Sequence, residues 1–431
     1  MTDAMTKTLL DHPGAETFLR EFQEEHLSEV EFLLQQRRRL LHGPGAHWTD
    51  AEEPETRLAR HLAAMRASTE VALGCAREAV ASGDDGQFLA GLHVLASLAP
   101  HEASIDMLLL SREAALEEVL PAWTEALALA LHSEVAECCT RALADGRPQV
   151  RAAAATLLGH RREGDPPRLM LLLEDEDGSV RGAAALALAR LGHRPALPSI
   201  ETLLAHSPPE QAEPLARAAL LLGSRRALTF CRQFCNSSHP PPALPRLLAL
   251  AGNAQDLPVL HRLSARPSFA EASLEALGLL GLSAAVPELM SHLEAEDPRH
   301  RQSAASALGL LSGAGPGLKV RVVAMEDEEE GHEREQWSTD PRAWRQWWEV
   351  HGHRLDGGQR WRHGRRFTLE GCLEELKDPH SPLTVRSRAA LELVIHSGRL
   401  LDFEPDWPVL RQRESLTRWH TGGGRAGPLT A

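Results

Sequence analysis

The chain has 431 residues and a formal net charge of −14, because 60 Asp and Glu outnumber 46 Lys and Arg. One domain of this length would be unusually large, so we expect several domains or a repeat array. A composition of 43% hydrophobic and 25% charged residues excludes a mainly disordered or fibrous chain. The acidic balance argues against double-stranded nucleic acid as the main partner, because binding to phosphates needs a cationic face.

Cysteine usage and hydropathy point to the cytoplasm. Six cysteines without a disulfide framework fit a reducing compartment. Residues 1–16 contain no apolar stretch of signal-peptide length. No run approaches the ~20 apolar residues that a membrane helix needs. We therefore predict a cytoplasmic protein that does not contact a membrane.

Residues 1–145 are predicted to be an irregular helical region. Apolar residues at helical spacing predict a helix over residues 16–41, a long amphipathic helix over 57–82 and a further helix over 85–99. A stacked repeat array needs a polar or irregular end. This region is therefore predicted to cap the array that follows it.

Residues 146–313 carry an internal repeat. Val150-Arg151, followed by four alanines, returns thirty residues later as Val180-Arg181. Glycines that end apolar stretches recur at intervals of 29 to 32 residues, at Gly192, Gly223, Gly252, Gly281 and Gly313. Three prolines each lie six residues after one of these glycines, namely Pro198, Pro258 and Pro287.

These glycines and prolines predict a pair of helices in each repeat. Glycine is favoured just past the end of a helix, and proline is tolerated in a first helical turn. Neither helix of such a pair can bury its apolar face alone, so neighbouring pairs must stack. The sequence therefore predicts an all-α fold, an α-solenoid of helical hairpins.

The repeats resemble HEAT-type repeats, especially the short bacterial form with a Val-Arg-x-Ala-Ala-Ala core after an acidic turn. Asp177 lies four residues before Arg181, and Asp145 lies six residues before Arg151. In HEAT repeats such Asp and Arg residues form a ladder between adjacent turns, and the resemblance implies this role for Asp177, Arg151 and Arg181. It also implies an ARM/HEAT superhelix of HEAT-like hairpins, to which the clustered tryptophans of the sequence add a predicted Trp-rich C-terminal module. The match weakens from residue 209, where arginine is lost at several equivalent positions.

The pattern breaks over residues 314–368, which we predict to be an acidic linker and an Arg/Trp-rich insertion. Residues 326–335 contain seven acidic residues and one arginine, which is typical of a solvated linker. Residues 340–366 contain seven arginines and four tryptophans. Among these, Trp344 and Trp348 share a helical face at a spacing of four.

The C-terminal part returns to the repeat pattern. Val385-Arg386, with two alanines close behind them, repeats the earlier signature. We predict a C-terminal HEAT-like repeat over residues 369–421 and a disordered tail over 422–431.

A second resemblance is narrower. The motif Trp344-x-x-Trp347-Trp348, together with Arg354 and Phe367, is similar to an uncharacterised family of proteobacterial HEAT-repeat proteins. Members of that family are often encoded near type VI secretion genes. The resemblance implies an association with that secretion system and brings no catalytic motif.

Three interpretations of the Arg/Trp stretch remain open. Tryptophan and arginine dominate interface hot spots, so the stretch is a candidate protein-binding site. The rings can also stack on bases, or form a capping core over the open end of the solenoid. The residues predicted to bind a partner are Trp344, Arg345, Trp347, Trp348 and Trp361.

Two groups of residues have side chains that bind metals, although neither has the spacing of a known metal site. Cys231, Cys235 and His239 recur every four residues and can line one helical face. Prolines follow directly, so burial of small residues on a helix is the favoured interpretation. The residues of the second group, which is equally loose, are His351, His353 and His363.

No enzyme motif is evident. The glycine-rich segment at residues 313–319 lacks the Gly-Lys-Ser/Thr ending of a phosphate loop. No Gly-x-Ser-x-Gly elbow occurs. We therefore predict no catalytic residues, no metal and no cofactor.

The predicted function is that of a non-catalytic scaffold or adaptor that presents an extended surface to another protein. The family resemblance implies a type VI secretion component or effector as that protein. The alternative is a HEAT-repeat enzyme or enzyme subunit of the bilin-lyase type that binds a small molecule. A deep concave pocket with converging polar groups favours the alternative, whereas an open, shallow surface favours the scaffold. The sequence makes no prediction about oligomeric state.

Overall fold

The computed structural model describes residues 14–43, 47–82, 84–112, 116–237, 240–241, 243–322, 332–355 and 358–421. Three features predicted from the sequence lie outside these ranges: the acid run at 326–330, His239 of the first metal group, and the tail over 422–431.

Helices form most of the described chain. In chain order they are α1 (Ala15–His42), α2 (Glu52–Met65), α3 (Thr69–Ala81), α4 (Asp85–Leu98), α5 (Ile105–Arg112), α6 (Leu116–Leu129), α7 (Val135–Ala142), α8 (Pro148–Arg161), α9 (Pro166–Leu171), α10 (Gly178–Arg190), α11 (Leu197–His206), α12 (Pro209–Leu221), α13 (Arg225–Cys235), α14 (Ala243–Ala251), α15 (Leu257–Ser264), α16 (Pro267–Leu280), α17 (Val286–His292), α18 (Pro298–Ser312), α19 (Pro341–His351), α20 (Leu369–Lys377), α21 (Leu383–Ser397) and α22 (Val409–Thr421). Short 3-10 turns extend or connect several of them, at Trp48–Ala51, Arg66–Ser68, Pro100–Glu102, Leu172–Glu174, Arg194–Ala196, Ala254–Asp256, Ser283–Ala285 and Gly352–Arg354. Within the described ranges, no helix is long and apolar enough to cross a lipid bilayer.

An antiparallel β-hairpin follows α18, in a region where the sequence analysis predicts no strands. β1 (Gly317–Val322) pairs with β2 (His332–Trp337) in a register that places Gly317 opposite Trp337. β1 alternates Leu318, Val320 and Val322 with Lys319 and Arg321, which is the pattern of a half-buried strand, but the run is short. β2 is mostly polar and lacks such a pattern.

A second, shorter hairpin follows α19. β3 (Trp361–Arg362) pairs with β4 (Arg365–Arg366). The hairpin turns at His363-Gly364, whose φ angles of 50° and 69° are those of a two-residue type I′ turn. Strands of two residues are too short for any period to be recognised in the sequence.

The described residues form two compact units. Unit 1 comprises those of Met1–Ala196, Leu373–Val394 and Arg399–Ala426, and unit 2 comprises those of Leu197–Cys372 and Ile395–Gly398. The domain boundaries derived from the sequence remain predictions.

In unit 1, alternate helices stack in chain order, with α4 on α6, α6 on α8 and α8 on α10. The intervening helices α7 and α9 pack on α8 and α10, so each pair is a helical hairpin. α1 packs on α2, α3 and α4. The core between these helices consists of apolar side chains without exposed surface, such as Leu33, Leu92, Leu127, Val150 and Val180.

Unit 2 has the same arrangement. α12, α14, α16 and α18 stack in order, and α11, α13, α15 and α17 each pack on the helix that follows. Leu248, Leu277 and Leu308 have no exposed surface in its core. Stacked helical hairpins of this kind define an α-solenoid, so the predicted fold class is confirmed within each unit.

Glycine and proline lie at the helix ends. Gly192, Gly223, Gly281 and Gly313 follow α10, α12, α16 and α18 with positive φ angles, a conformation that residues with a side chain rarely adopt. The second residues of α11, α15 and α17 are Pro198, Pro258 and Pro287. Gly252, which follows α14, is required for a different reason, because a Cβ there would overlap the carbonyl oxygen of Leu248.

Successive inner helices approach each other closely at a glycine. A Cβ at Gly159 of α8 would lie 2.6 Å from Cα of Ala187 on α10. In unit 2, a Cβ at Gly278 of α16 would lie 2.7 Å from Cα of Ala307 on α18. The same small-residue contact therefore brings neighbouring repeats together in both units.

The Asp–Arg ladder uses a different carboxylate from the expected one. Arg151 donates to both carboxylate oxygens of Asp175 at 2.8 and 2.9 Å. Asp177, which the resemblance placed in the ladder, instead caps α10 and accepts from the Ser179 amide at 2.8 Å and the Val180 amide. The expectation for Asp177 is therefore corrected: this residue satisfies free amides at the start of its own helix, and Asp175 reaches the preceding repeat.

A second contact of the repeat arginines recurs at a constant spacing. Arg151 Nη1 donates to the carbonyl oxygens six and five residues before it, at 2.9 and 3.2 Å. Arg181 repeats the pattern at 2.7 and 2.9 Å, and Arg301 repeats it at 2.8 Å for both bonds. Pro298-x-x-Arg301 corresponds to Pro148-x-x-Arg151, so the repeat contact persists in a region where the sequence match is weak.

The helix predicted over residues 57–82 is interrupted. α2 ends at Met65, and α3 begins at Thr69. Ser68 between them leaves helical geometry with φ −138° and ψ 66°. Its hydroxyl accepts a hydrogen bond of 2.6 Å from the Gln23 side chain of α1, which joins the break to the neighbouring helix.

Val385 and Arg386, predicted to resume the repeat, lie on α21 in unit 1. Arg386 has no exposed surface, and its guanidinium lies 3.6 Å from the centre of the Trp48 ring. It donates to the carbonyl oxygens of Leu376 and Pro405, both at 3.2 Å, and to the side chain of Gln412. Its acceptors therefore differ from those of Arg151 and its counterparts. Burial lowers the pKa of Arg386 to about 9.

Candidate functional site

The residues predicted to bind a partner fall into two structural groups in unit 2. Trp344, Arg345, Trp347 and Trp348 lie on α19, and Trp361 lies in β3. Asp340 caps the start of α19, since its carboxylate accepts a hydrogen bond of 2.9 Å from the Arg342 amide, and the first residue of the helix is Pro341. Both are favourable N-terminal features, so this short helix has a defined start.

Trp344 anchors α19 to the end of the last inner helix. It has no exposed surface, and its indole N–H donates to the Ser338 carbonyl oxygen at 2.6 Å. Its ring fills the space next to Gly315, and the neighbouring Trp337 ring fills the space next to Gly309 of α18. The two ring centres are 6.1 Å apart. Trp344 is therefore part of the core that covers the end of α18.

Trp347 and Trp348 follow Trp344 on α19 and are only partly buried. Their ring centres are 6.1 Å apart, and the Trp347 ring lies 4.9 Å from that of His351. Within the part of the chain that the structure describes, neither indole N–H has a hydrogen-bond acceptor. Each ring thus offers a partner both an apolar face and an indole N–H that can donate a hydrogen bond.

Two exposed side chains complete this surface. Arg345, three residues before Trp348, has 51% of its side chain exposed and forms an ion pair with the exposed Glu294. Val350, three residues after Trp347, is 57% exposed. Together, Arg345, Trp347, Trp348 and Val350 are the α19 surface. Val350 could not be predicted from the sequence, because a single valine carries no pattern.

Trp361 lies in the second hairpin, which covers the C-terminal ends of three inner helices of unit 2. Trp361 is 8% exposed, and its backbone N–H donates to the Gly281 carbonyl oxygen at 2.7 Å. The amides of His363 and Gly364 donate to Leu310 and Leu311 at 2.7 and 3.0 Å. The hairpin therefore satisfies carbonyl groups that a helix end leaves without an intrahelical partner.

Arginines of the same hairpin strengthen this cap. Arg360 donates to the carbonyl oxygens of Leu250 at 3.3 Å and Leu279 at 3.1 Å, and Arg362 donates to Leu279 at 3.2 Å. Cations are favourable at helix C-termini, where the helix dipole is negative. Of the five residues predicted to bind a partner, Arg345, Trp347 and Trp348 are accessible, whereas Trp344 and Trp361 are buried.

The groups considered for metal binding are dispersed or buried. Cys231 and Cys235 lie on α13 with about 1% of their surface exposed. Burial raises the pKa of the Cys231 thiol to about 12 and also raises that of Cys235, so both remain protonated at neutral pH. Among the described residues, no three His, Cys, Asp or Glu side chains come together as a metal site.

Comparison with known proteins identifies the repeats. Residues 135–223, from α7 to the end of α12, match the family model for HEAT repeats. No curated protein matches the chain.

Similar solved structures share low identity with this chain. Kap121p bound to Ste12p has 13% identity and a TM-score of 0.34, covering 65% of this chain and 36% of its own, so the chain spans about a third of that protein. The CpcE–CpcF complex of phycocyanin lyase from Nostoc sp. PCC7120 has 16% identity and a TM-score of 0.29, covering 55% and 86%. Human deoxyhypusine hydroxylase in complex with glycerol has 18% identity and a TM-score of 0.26, covering 57% and 97%. The family match, together with the stacked hairpins, makes this chain a protein with HEAT repeats at residues 135–223.

Proposed function

We propose that the protein is a non-catalytic scaffold or adaptor that binds another protein through the α19 surface. The observation that carries this proposal is the pair Trp347 and Trp348, which are partly exposed and whose indole N–H groups have no acceptor among the described residues. The buried Trp344 holds their helix in place. Tryptophan and arginine are the residues most enriched at interface hot spots.

The physical chemistry of this surface favours association. Aromatic side chains bury large apolar areas, and their removal from water contributes about 25 cal/mol for each Å². Because the helix is already anchored, little conformational entropy is lost when a partner covers it. The Arg345–Glu294 pair is exposed and contributes little to stability, so a carboxylate of the partner can replace Glu294.

We further propose that the partner is a component or effector of a type VI secretion system and that binding takes place in the cytoplasm. The support is the resemblance carried by Trp344-x-x-Trp347-Trp348. The six free thiols fit a reducing compartment.

The test is affinity purification from the native host, comparing the natural protein with the double variant Trp347→Ala/Trp348→Ala. We expect the variant to lose its partner by more than about tenfold, the effect of removing hot-spot side chains. Its melting temperature should fall by less than about 4 °C, because both side chains are only partly buried. Mass spectrometry of the recovered proteins identifies the partner.

Trp419→Ala is the matched control, since Trp419 is also half-buried but lies on α22 in unit 1. This variant should recover the partner normally. Unchanged recovery by the double variant, or no stable partner at native expression, would count against the proposal. A large loss of melting temperature in the double variant would instead assign these rings to the capping core.

A second candidate, a HEAT-repeat enzyme or subunit of the bilin-lyase type, is favoured by one observation. Unit 1 contains a cleft of about 840 Å³ where arginine, histidine and carboxylate side chains converge. Adding a free bilin to the purified protein tests this candidate. A saturable shift of the bilin absorption spectrum would support it, and an unchanged spectrum would exclude bilin binding.

A further inference from the structure

Residues 400–408 of unit 1, here named the strap, cross the C-terminal ends of two inner helices. Leu401, Phe403 and Trp407 are at most 3% exposed. The acidic residues between them, Asp402, Glu404 and Asp406, are only partly buried. The strap thus alternates apolar side chains in the core with carboxylates at the helix ends.

Basic side chains at these helix ends hold the acidic residues. Glu404 lies 2.9 Å from Arg162, just past α8, and 3.0 Å from Arg190, the last residue of α10. Asp406 lies 2.9 Å from Nε2 of His160 in the last turn of α8. Helix C-termini alone repel carboxylates, because the helix dipole is negative there. Arg162, Arg190 and His160 make these helix ends favourable for carboxylates, because each pairs with an acidic side chain of the strap.

A cleft of about 840 Å³ continues from the strap between α1, α6 and α8. His160, Arg190 and Asp406 of the strap site also line this cleft. Its other walls include the apolar side chains of Leu41 and Leu129. The volume is within the range of pockets that bind small ligands.

The cleft contains one arginine whose charge no described carboxylate balances. Four arginines line it, namely Arg37, Arg38, Arg39 and Arg190, against two carboxylates, Glu125 and Asp406. Three of the four arginines are paired: Arg37 with Glu55, Arg38 with Glu125, and Arg190 with Glu404. Arg39 is exposed and has no partner among the described residues. Such a local charge attracts anions despite the net charge of −14.

We propose that this cleft binds an acidic segment of another protein, in which carboxylates alternate with apolar side chains as they do in the strap. A carboxylate of that segment pairs with Arg39, and an apolar side chain packs on Leu41 and Leu129. The strap is an example of such binding, since the ends of α8 and α10 already bind a segment that alternates apolar and acidic side chains. The α19 surface takes no part, so Trp347→Ala/Trp348→Ala leaves this binding unchanged.

The probe is a fluorescein-labelled peptide with the sequence of residues 400–408, titrated with the full-length protein while fluorescence anisotropy is measured. We expect saturable binding that Arg39→Glu weakens about tenfold or more, because the variant reverses the unpaired charge. Arg66→Glu, at an exposed arginine of unit 1 outside the cleft, should change the affinity less than about twofold. A peptide whose three acidic residues are replaced by their amides should bind about tenfold more weakly than the natural sequence.

Three results would overturn the proposal. Binding that is equally strong in Arg39→Glu would place the peptide elsewhere, including at the strap's own position, which Arg39 does not contact. An amide peptide that binds as well as the acidic one would remove the role of charge. No saturable peptide binding, combined with saturable binding of the amphipathic anion anilinonaphthalene sulfonate, would assign the cleft to a small molecule.

Discussion

Single residues of one type have different roles in this protein, and arginine is the clearest case. Arg151, Arg181 and Arg301 tie the start of an inner helix to the turn before it. Arg360 satisfies carbonyls at helix C-termini, and Arg386 is buried beneath an indole ring. The role depends on which acceptors lie within reach of the guanidinium, and therefore on packing.

We expect His93 of α4 to make the stability of unit 1 depend on pH. It is 1% exposed, and its Nδ1 lies 3.3 Å from the Ala126 carbonyl oxygen. Burial lowers its pKa to about 4, whereas the unfolded chain binds the same proton near pH 6.5. Between pH 6.5 and 4, His93 is therefore protonated in the unfolded state but stays neutral in the folded state. Stability should fall as pH decreases from 6.5 to 4, by up to roughly 3 kcal/mol from this residue.

Urea unfolding of the natural protein and of His93→Gln, at several pH values between 4 and 7, measures this contribution. The difference in free energy of unfolding between the two proteins should shift in favour of the variant as pH falls, since glutamine does not titrate. A difference that is constant over this range would show that His93 does not carry the effect.

At the scale of helices, the stacking of repeats depends on small residues where inner helices cross. Gly159 on Ala187 and Gly278 on Ala307 are equivalent contacts in the two units. Glycine is a poor helix former, so its presence inside α8 and α16 reflects close packing. These sites explain why an Ala-rich repeat core can support a solenoid.

Gly159→Ala should destabilise the protein by about 1 to 3 kcal/mol, because the new Cβ would lie 2.6 Å from a backbone atom of α10. Gly74→Ala in α3 is the matched control, since nothing lies within 4 Å of a Cβ at that position. The control should be more stable than the natural protein by up to about 1 kcal/mol, from helix propensity alone. Chemical denaturation of both variants measures the change in free energy of unfolding and so distinguishes an effect of close packing from one of helix propensity. A shift of the same sign in both would contradict the packing argument.

At the scale of the whole molecule, residues far apart in the sequence complete unit 1. The indole N–H of Trp407 donates to the His160 carbonyl oxygen at 3.0 Å, and the Val409 amide donates to Glu55 at 2.7 Å. Val409 also shares a buried cluster with Leu41 and Trp48 near the N-terminal end. The C-terminal segment therefore stabilises helices near the start of the chain.

Trp407→Ala should lower the free energy of unfolding by about 3 to 5 kcal/mol, the cost of removing a fully buried ring. Hydrogen exchange should become faster in α8, which the ring contacts through His160. Trp419→Ala, at a half-buried ring on α22, should change both quantities much less. Exchange in α8 that is unaffected by Trp407→Ala would show that the strap does not stabilise the repeats.

Part of the candidate site could be predicted from the sequence. The spacing of Trp344, Trp347 and Trp348 indicates one helix, and that helix exists. The spacing could not show that Trp344 fills the space beside Gly315. Nor could it show that the rings of Trp347 and Trp348 remain at the surface. The cleft could not be predicted, because only three of its arginines are neighbours in the sequence, on α1, and its other walls come from α6, α8, α10 and the strap.

The sequence by itself determined the repeat period, the α-solenoid class and most helix ends. Helix propensity, capping and the conformations of glycine and proline depend on residues within a few positions, so the local sequence is enough to predict them. Only the tertiary structure decided which tryptophans are buried, that Asp175 rather than Asp177 pairs with Arg151, and that the strap lies against α8 and α10. These outcomes depend on contacts between residues that are distant along the chain or compete for the same partner. They are decided by shape and charge at the surfaces that meet when the helices stack.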